Sequence, residues 1–240
     1  MINPNAARIS GKDDAASPAM LQVDIIADLV CPWCYLGKRR LDDALLAVHG
    51  PSIVSWYPFQ LNPAMPEAGM GFNEYLAARF GDPEVLQPAL AQLTTAGAAE
   101  GITFRFDRIT HIPNTLNAHR VMKLAEREGV NASGLAETIL RGFFEDGLDI
   151  SRRDVLVDMG ERSGLSSTSI NRTLDDETSR QTVLSQEAQV RRSGVTGVPD
   201  FLINKRLFVI GAQPTESLVN IFDRAMFGEE SDLPVSATVH

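Results

Sequence analysis

Cys31 and Cys34 are the only thiols in the 240-residue chain, and they stand three positions apart in Val30-Cys31-Pro32-Trp33-Cys34-Tyr35-Leu36-Gly37-Lys38. Residues three apart on a helical turn are neighbours, with Cα atoms roughly 5–5.5 Å apart, inside the window that a disulfide needs. The stretch joins a strand-like run to a helix-like run, which puts Cys31 at a helix N-terminus. Unpaired N–H groups and the partial positive charge there favour a thiolate. Pro32 suits the first helical turn, where its missing N–H is no loss. Cys34 falls deeper in the helix and is expected to be the less ionised. The chemistry this implies is reversible dithiol/disulfide exchange: Cys31 attacks a substrate disulfide, and Cys34 resolves the mixed disulfide. Trp33, between them, is expected at the surface as a substrate contact.

Two other readings compete. A zinc site needs two further ligands beside a Cys-x-x-Cys pair. There is no third cysteine, and His111 and His119 are eight positions apart, a poor pair, so no metal is expected. A pair of inert buried thiols is the second, and the strand–helix junction argues against it.

The elements that must position the dithiol are legible as patterns. Leu21 to Val30 is a nearly continuous apolar run, as in a central strand covered on both faces. Leu41, Ala44, Leu45 and Val48 recur at helical spacing before Gly50-Pro51, and Ile53 to Phe59 reads as a second strand. From 62 to 193 the texture is helical. Segments are expected over Phe72–Phe80, Pro83–Glu100, Thr115–Glu128, Ala132–Glu145, Arg152–Ser163, Ser167–Leu174 and Glu177–Ser193, with Ile102–Phe106 extended. Asp82-Pro83 opens the second of these, Asn114 or Thr115 caps the third, and Ser151 caps the fifth. Phe201-Leu202-Ile203 and Leu207-Phe208-Val209-Ile210 flank an Asn204-Lys205-Arg206 turn and read as a hairpin. A last helix opens at Gln213-Pro214, with Leu218, Ile221, Phe222 and Ala225 inward. The order is βαβ, a long helical insertion, then ββα. This divides the chain into a lead-in over 1–20, a discontinuous α/β domain over 21–61 and 194–228, an all-helical insertion over 62–193 and a tail over 229–240. Val198-Pro199 lies where a strand begins, and a cis bond would reconcile a proline with that strand.

Composition narrows the function classes. A net charge of −9, with no Lys/Arg block longer than three, argues against nucleic-acid binding. No apolar run approaches the ~18 residues of a membrane span. Residues 1–20 lack the basic start and apolar core of a secretory signal, so a cytoplasmic location is expected and a structural disulfide is not. Asp24 and Asp28 precede the dithiol. Either, if buried, could take the resolving thiol's proton, but an exposed strand end is the expectation. Lys38-Arg39-Arg40 is expected to be a solvated face.

Cys31-Pro32-Trp33-Cys34-Tyr35-Leu36-Gly37, Val195-Thr196-Gly197-Val198-Pro199-Asp200-Phe201 and Gly211-Ala212-Gln213-Pro214 together resemble the DsbA family of thioredoxin-fold oxidoreductases, and in particular its FrnE-like branch of cytosolic dithiol–disulfide oxidoreductases or isomerases. The resemblance runs from about residue 22 to 227. It implies a thioredoxin domain with a helical insertion, a cis-Pro199 facing the dithiol, and Val198 offering backbone hydrogen bonds to a bound substrate chain. Pro113 to Arg120 resembles the family segment where an insertion helix starts over the active site, which makes Asn114, Thr115 and His119 substrate-side candidates. The capping role and a buried structural histidine are the competing readings there. Departures from the family are informative. Pro-Trp replaces the Pro-His of the strongly oxidising member, and the second cysteine pair of some FrnE-like proteins is missing. Related glutathione transferases and hydroxychromene-carboxylate isomerases carry serine where Cys31 stands.

The expectation is therefore a thiol–disulfide oxidoreductase that reduces, forms or isomerises disulfides. Its catalytic residues are Cys31, Cys34 and Pro199, and its substrate contacts are Pro32, Trp33, Val198, Asn114, Thr115 and His119. No cofactor is expected beyond the cysteine pair, with glutathione as an admissible co-substrate. Partners are protein or small-molecule thiols and disulfides, with glutathione or thioredoxin as electron partner, and a homodimer is compatible with the acidic surface. The alternatives are a glutathione-dependent isomerase or transferase of the kappa/hydroxychromene-carboxylate type, and a redox-switched holdase.

Overall fold

The computed structural model describes residues 20–81 and 83–227. The expected lead-in up to residue 19, the tail over 229–240 and Asp82 at a helix start lie outside the described residues. The apolar run after Met20 becomes strand β1 (Leu21–Ala27), which is buried along almost its whole length. It is central because both faces are apolar: β2 (Ser52–Pro58) pairs with it in parallel, and β5 (Asp200–Ile203) pairs antiparallel on its other edge. β6 (Leu207–Ile210) completes the order β2-β1-β5-β6. Helix α1 (Pro32–Ala47) is the crossover between the parallel strands β1 and β2. It packs against α9 (Thr215–Phe227), whose buried residues are Leu218, Phe222 and Met226. The expected inward Ile221 and Ala225 are partly buried and pack against the core, and Met226 is buried beside them in the sequence.

The βαβ and ββα pieces thus share one sheet, and the mixed α/β fold with a helical insertion is the one expected. Between β2 and β5 come α2 (Phe72–Phe80), α3 (Gln87–Ala99), α4 (Leu116–Glu128), α5 (Ala132–Phe144), α6 (Arg153–Arg162), α7 (Ser167–Asp175) and α8 (Glu177–Arg192). The structure corrects several details. The helix expected over 83–100 is a 3-10 turn, Pro83–Leu86, followed by α3. Pro88 explains the break, since it has no N–H to continue the ladder and fits only a first turn. The insertion is not all-helical: β3 (Met70–Gly71) and β4 (His111–Ile112) form a small ribbon, too short to leave a sequence period. Ile102–Phe106 pairs with no strand and leads into a 3-10 turn, Phe106–Arg108, with Arg105 N donating to the Phe144 carbonyl at 2.8 Å. Ser151 does not cap α6; it binds Asp149 instead, and Arg152 stands at the cap position.

The basic cluster on α1 is not a solvated face. Lys38 is buried between Asp42 and Glu137, the latter 2.8 Å away on α5, and Arg39 reaches the same Glu137 at 2.7 Å. Arg40 spans two regions of the fold: Nε donates to Glu100 Oε1 just after α3 at 2.8 Å, and a terminal nitrogen donates to the Ala212 carbonyl ahead of α9 at 2.7 Å. Tyr35, fully buried, points into the insertion, where it stacks on Phe144 and meets Phe104 edge-on at centroid distances of 6.1 and 6.0 Å. The helix that carries the dithiol is therefore fixed to the insertion along its length.

Removing the Arg40 side chain leaves a half-buried Glu100 and one carbonyl unpartnered. Arg40→Ala should lower the unfolding free energy by about 1–3 kcal/mol, as a shift of the urea midpoint at unchanged slope. A change below about 0.5 kcal/mol would show that the tie is not structural.

Candidate functional site

β1 ends in a turn rather than running on to Val30. Cys31 N donates to the Asp28 carbonyl at 3.2 Å, and Cys31 becomes the N-cap residue of α1, with extended backbone. Its own carbonyl accepts from Cys34 N at 3.0 Å and Tyr35 N at 3.2 Å, which winds the first turn and brings Cys34 under Cys31. Both cysteines are free thiols, and they approach each other to 3.4 Å. Cys34 is fully buried and Cys31 is 3% exposed. Burial, the largest cause, and the hydrogen bond and charge of Cys31 push the Cys34 thiol well up. The Asp28 N–H pulls the other way, and the Asp28 charge adds to the rise.

Opposite the dithiol stands the loop before β5. The Val198–Pro199 bond is cis, and the Val198 carbonyl accepts from Cys31 Sγ at 3.7 Å. Gly211 N donates to the Pro199 carbonyl at 2.8 Å and ties the loop to the end of β6. Gly37 permits the close packing of α1 on this loop: a Cβ there would lie 2.9 Å from Pro199 Cγ and 3.4 Å from the Phe201 ring. Trp33 is 37% exposed beside the dithiol, and Pro32 is half-buried at the start of α1.

The structure thus brings Cys31, Cys34, Val198 and Pro199 together, with Pro32 and Trp33 on the same turn. The residues at the start of α4 are placed differently. Asn114 is committed as a brace: Oδ1 accepts from Leu116 N at 2.9 Å, and Nδ2 donates to the Met65 carbonyl at 2.7 Å. Thr115 is buried and its side chain caps nothing. His119 is 5% exposed and lies with Nε2 3.4 Å from Asp28 Oδ1. Asp28 and Asp24, expected at an exposed strand end, are both buried. The Asp28 carboxylate accepts from Leu29 N at 2.8 Å and Leu61 N at 2.7 Å. Only the fold brings residue 61 there, so nothing local in the sequence marks the burial. Asp200 follows Pro199 directly. It is buried, and burial pushes its carboxyl up to about 6, with the Gly211 N–H giving partial relief.

A cavity of about 460 Å³ opens between the loop after β2 and the starts of α4 and α8, lined by Gln60, Asn117, Arg120 and Arg180 among others. Neither cysteine lines it, so the chemistry is located by the dithiol and not by this space. Among the described residues no cluster of three or more His, Cys, Asp or Glu side chains is arranged to hold a metal, and no helix is long and apolar enough to cross a membrane.

Residues 22–223 match the family described as the DSBA-like thioredoxin domain. The chain belongs to the DsbA-like thioredoxin family. Its thiol-oxidoreductase fold is shared with a probable DsbA oxidoreductase of Streptomyces coelicolor, 30% identical over 89% of this chain and 93% of that one, with a TM-score of 0.79. The Bacillus subtilis (strain 168) protein YwbO is 23% identical, over 88% of this chain and 98% of its own length. Fold likeness extends to the cytosolic disulfide reductase DsbM of Pseudomonas aeruginosa, solved with glutathione (19% identity, 85% and 95% coverage, TM-score 0.60). It extends also to a 2-hydroxychromene-2-carboxylate isomerase (14% identity, 85% and 95% coverage, TM-score 0.67). Members of the DsbA-like family work through a redox-active cysteine pair, which makes this chain an oxidoreductase at that general level.

The Asp200 carboxyl carries a pH signature. Its value rises on folding, so between about pH 4 and about pH 6 the native state holds a proton that the unfolded chain has lost, and stability falls with rising pH across that window. Asp200→Asn keeps an acceptor for Gly211 N–H and removes the titration. The variant should melt higher than the wild type at neutral pH, with the gap closing on acidification through that window. A gap independent of pH would contradict the assignment.

Proposed function

We propose that this protein is a dithiol–disulfide oxidoreductase in which Cys31 is the nucleophile and Cys34 the resolving thiol. The observation that carries the reading is the approach of two free thiols to 3.4 Å on the first turn of α1, against the cis Val198–Pro199 loop. Cys31 stands at the helix N-terminus, where an attacking thiolate is favoured by unpaired N–H groups. Attack on a substrate disulfide joins Cys31 to one substrate sulfur and releases the other as a thiol. Cys34 then loses its proton and attacks Cys31, the intramolecular disulfide forms, and the second substrate thiol leaves. The protein pair gives up two electrons and the substrate disulfide gains them. The deep burial of Cys34, which pushes its thiol up, supports the resolving role for that sulfur.

Val198 and Pro199 dock the substrate chain, and the Val198 carbonyl that holds the Cys31 thiol is already in position. Trp33 and Pro32 form the rim. Substrates are protein or small-molecule disulfides, and glutathione or thioredoxin exchanges the electrons. The reading places the protein in the cytoplasm, in the FrnE-like branch of the family. The buried side chains of Thr115 and the committed hydrogen bonds of Asn114 favour a supporting role for these two over direct substrate contact.

Cys34→Ala separates this mechanism from its alternatives. The variant should accumulate covalent substrate adducts through Cys31 and lose insulin-disulfide reduction, while Cys31→Ala should lose both. A glutathione-dependent isomerase or transferase would keep turnover without Cys34, and a holdase would suppress aggregation with neither sulfur. Disulfide exchange that survives loss of both sulfurs would overturn the proposal.

A further inference from the structure

The cavity between the loop after β2 and the starts of α4 and α8 presents two side-chain amides whose orientations are fixed by their neighbours. Gln60 is 2% exposed and lines it. Glu187 and Arg191 on α8 hold the Gln60 backbone, and its Nε2 donates to Asn114 Oδ1 at 3.4 Å, an oxygen that also accepts from Leu116 N. That donor role fixes the amide and leaves Gln60 Oε1 an acceptor without a donor among the described residues. Asn117 is fixed the opposite way round. Its Oδ1 accepts from Arg120 at 2.8 Å, which leaves its Nδ2 hydrogens free to be donated. One acceptor and one donor on the lining of a single cavity match the N–H and C=O of a peptide bond.

The charges on this lining are divided by side. Arg120 is fully engaged: besides Asn117, it donates to Ser179 and to the Thr173 and Asp176 carbonyls, and so locks the turn between α7 and α8. The residue after Ser179 is Arg180, on the α8 side of the cavity, half-buried, with its guanidinium bonded to no described residue. Burial first, and then the Arg180 charge, pull the Arg120 guanidinium down, with partial relief from Glu177 and Asp176. The acids on the lining are not equivalent. Asp175 is paired with Arg153, and Glu177 accepts from Gln181 at 2.7 Å. Glu67, on the loop side, is exposed and pairs with no described residue. A cation on one side and an anion on the other are thus unmatched, although a half-buried guanidinium is ordinarily paired.

We propose that this cavity binds a short peptide with free ends: its carboxylate on Arg180, its ammonium toward Glu67, and an internal amide between Gln60 Oε1 and Asn117 Nδ2. The volume of about 460 Å³ suits a ligand of about two or three residues. No thiol takes part in this binding, so the site is independent of the dithiol and of the redox reading.

The test is a titration of isotope-labelled full-length protein with Ala-Ala-Ala to about 10 mM, followed through the side-chain amide signals of Gln60 and Asn117. Both signals should shift along one saturable curve. The C-terminal amide of the peptide should bind about tenfold more weakly, and so should Ala-Ala-Ala to Arg180→Gln, because a charged hydrogen bond is lost in each. The N-acetyl peptide, and Glu67→Gln with the free peptide, should each bind about threefold more weakly, since an exposed charge contributes less. Arg180→Gln should discriminate between the free carboxylate and the amide by less than about twofold, which ties the carboxylate to that residue. The Cys31→Ala/Cys34→Ala protein should bind within about twofold of the wild type, so failure of the redox reading and failure of this one are distinguishable. Arg180 and Glu67 hold no other part of the fold, so both variants should fold. No saturable shift, equal affinity for the blocked peptides, undiminished affinity in Arg180→Gln, or loss of binding with the two sulfurs overturns the proposal.

Discussion

A thiol with no exposed surface ionises only where its surroundings supply what water would have supplied. Cys34 is in that position, and much of the neighbouring structure answers to it. The first turn of α1 sets Cys31 above it, and the loop of Val198 and Pro199 covers the pair from the opposite side. The difference between a sulfur at the helix cap and one within the first turn gives a dithiol two distinct members. Gly37 belongs to the same constraint, since any larger side chain would push the cis-proline loop away from the helix.

Enclosing that turn requires the insertion to be held against α1, and this is done with polar groups as much as with apolar ones. Lys38, Arg39 and Tyr35 converge on Glu137, and the Tyr35 hydroxyl, having one proton, donates to the nearer Glu145 at 2.7 Å. Burial and that bond push the Tyr35 hydroxyl up, so it stays a donor. A buried network of this kind contributes uniqueness of docking more reliably than it contributes stability. Arg40 extends it to Glu100 and to the segment before α9. The helix with the dithiol is thus fixed at several points along its length, which suits a site whose two sulfurs must stay in register.

Most of this architecture could be read from the chain. The apolar run of β1, the helical spacing after it, the hairpin around Asn204 and the seven helical segments between them each rest on a local period, and local periods survive without a structure. The dithiol was legible because its spacing and its place at a strand–helix junction carry the chemistry together. What could not be read depends on contacts distant in sequence. Asp28 is buried because Leu61 N and His119 reach it, and Lys38 because Glu137 does. No pattern around residue 28 or 38 announces either. The β3–β4 ribbon escaped for another reason, since two-residue strands have no period at all. Pro88 is a local signal of a different kind, since a proline that fits only a first turn marks where the helix after the Pro83–Leu86 turn begins.

The most direct test of the central claim, that Cys31 and Cys34 form one redox couple, is an equilibrium titration in glutathione buffers followed by tryptophan fluorescence. Trp33 lies between the two cysteines, while the second tryptophan, Trp56, is buried and hydrogen-bonded to Ser133. The account predicts a single two-electron transition of the wild-type protein, with a midpoint between about −270 and −120 mV and roughly 30 mV per tenfold change in ratio. Two separate glutathione additions without an intramolecular disulfide, or no transition at all, would contradict it.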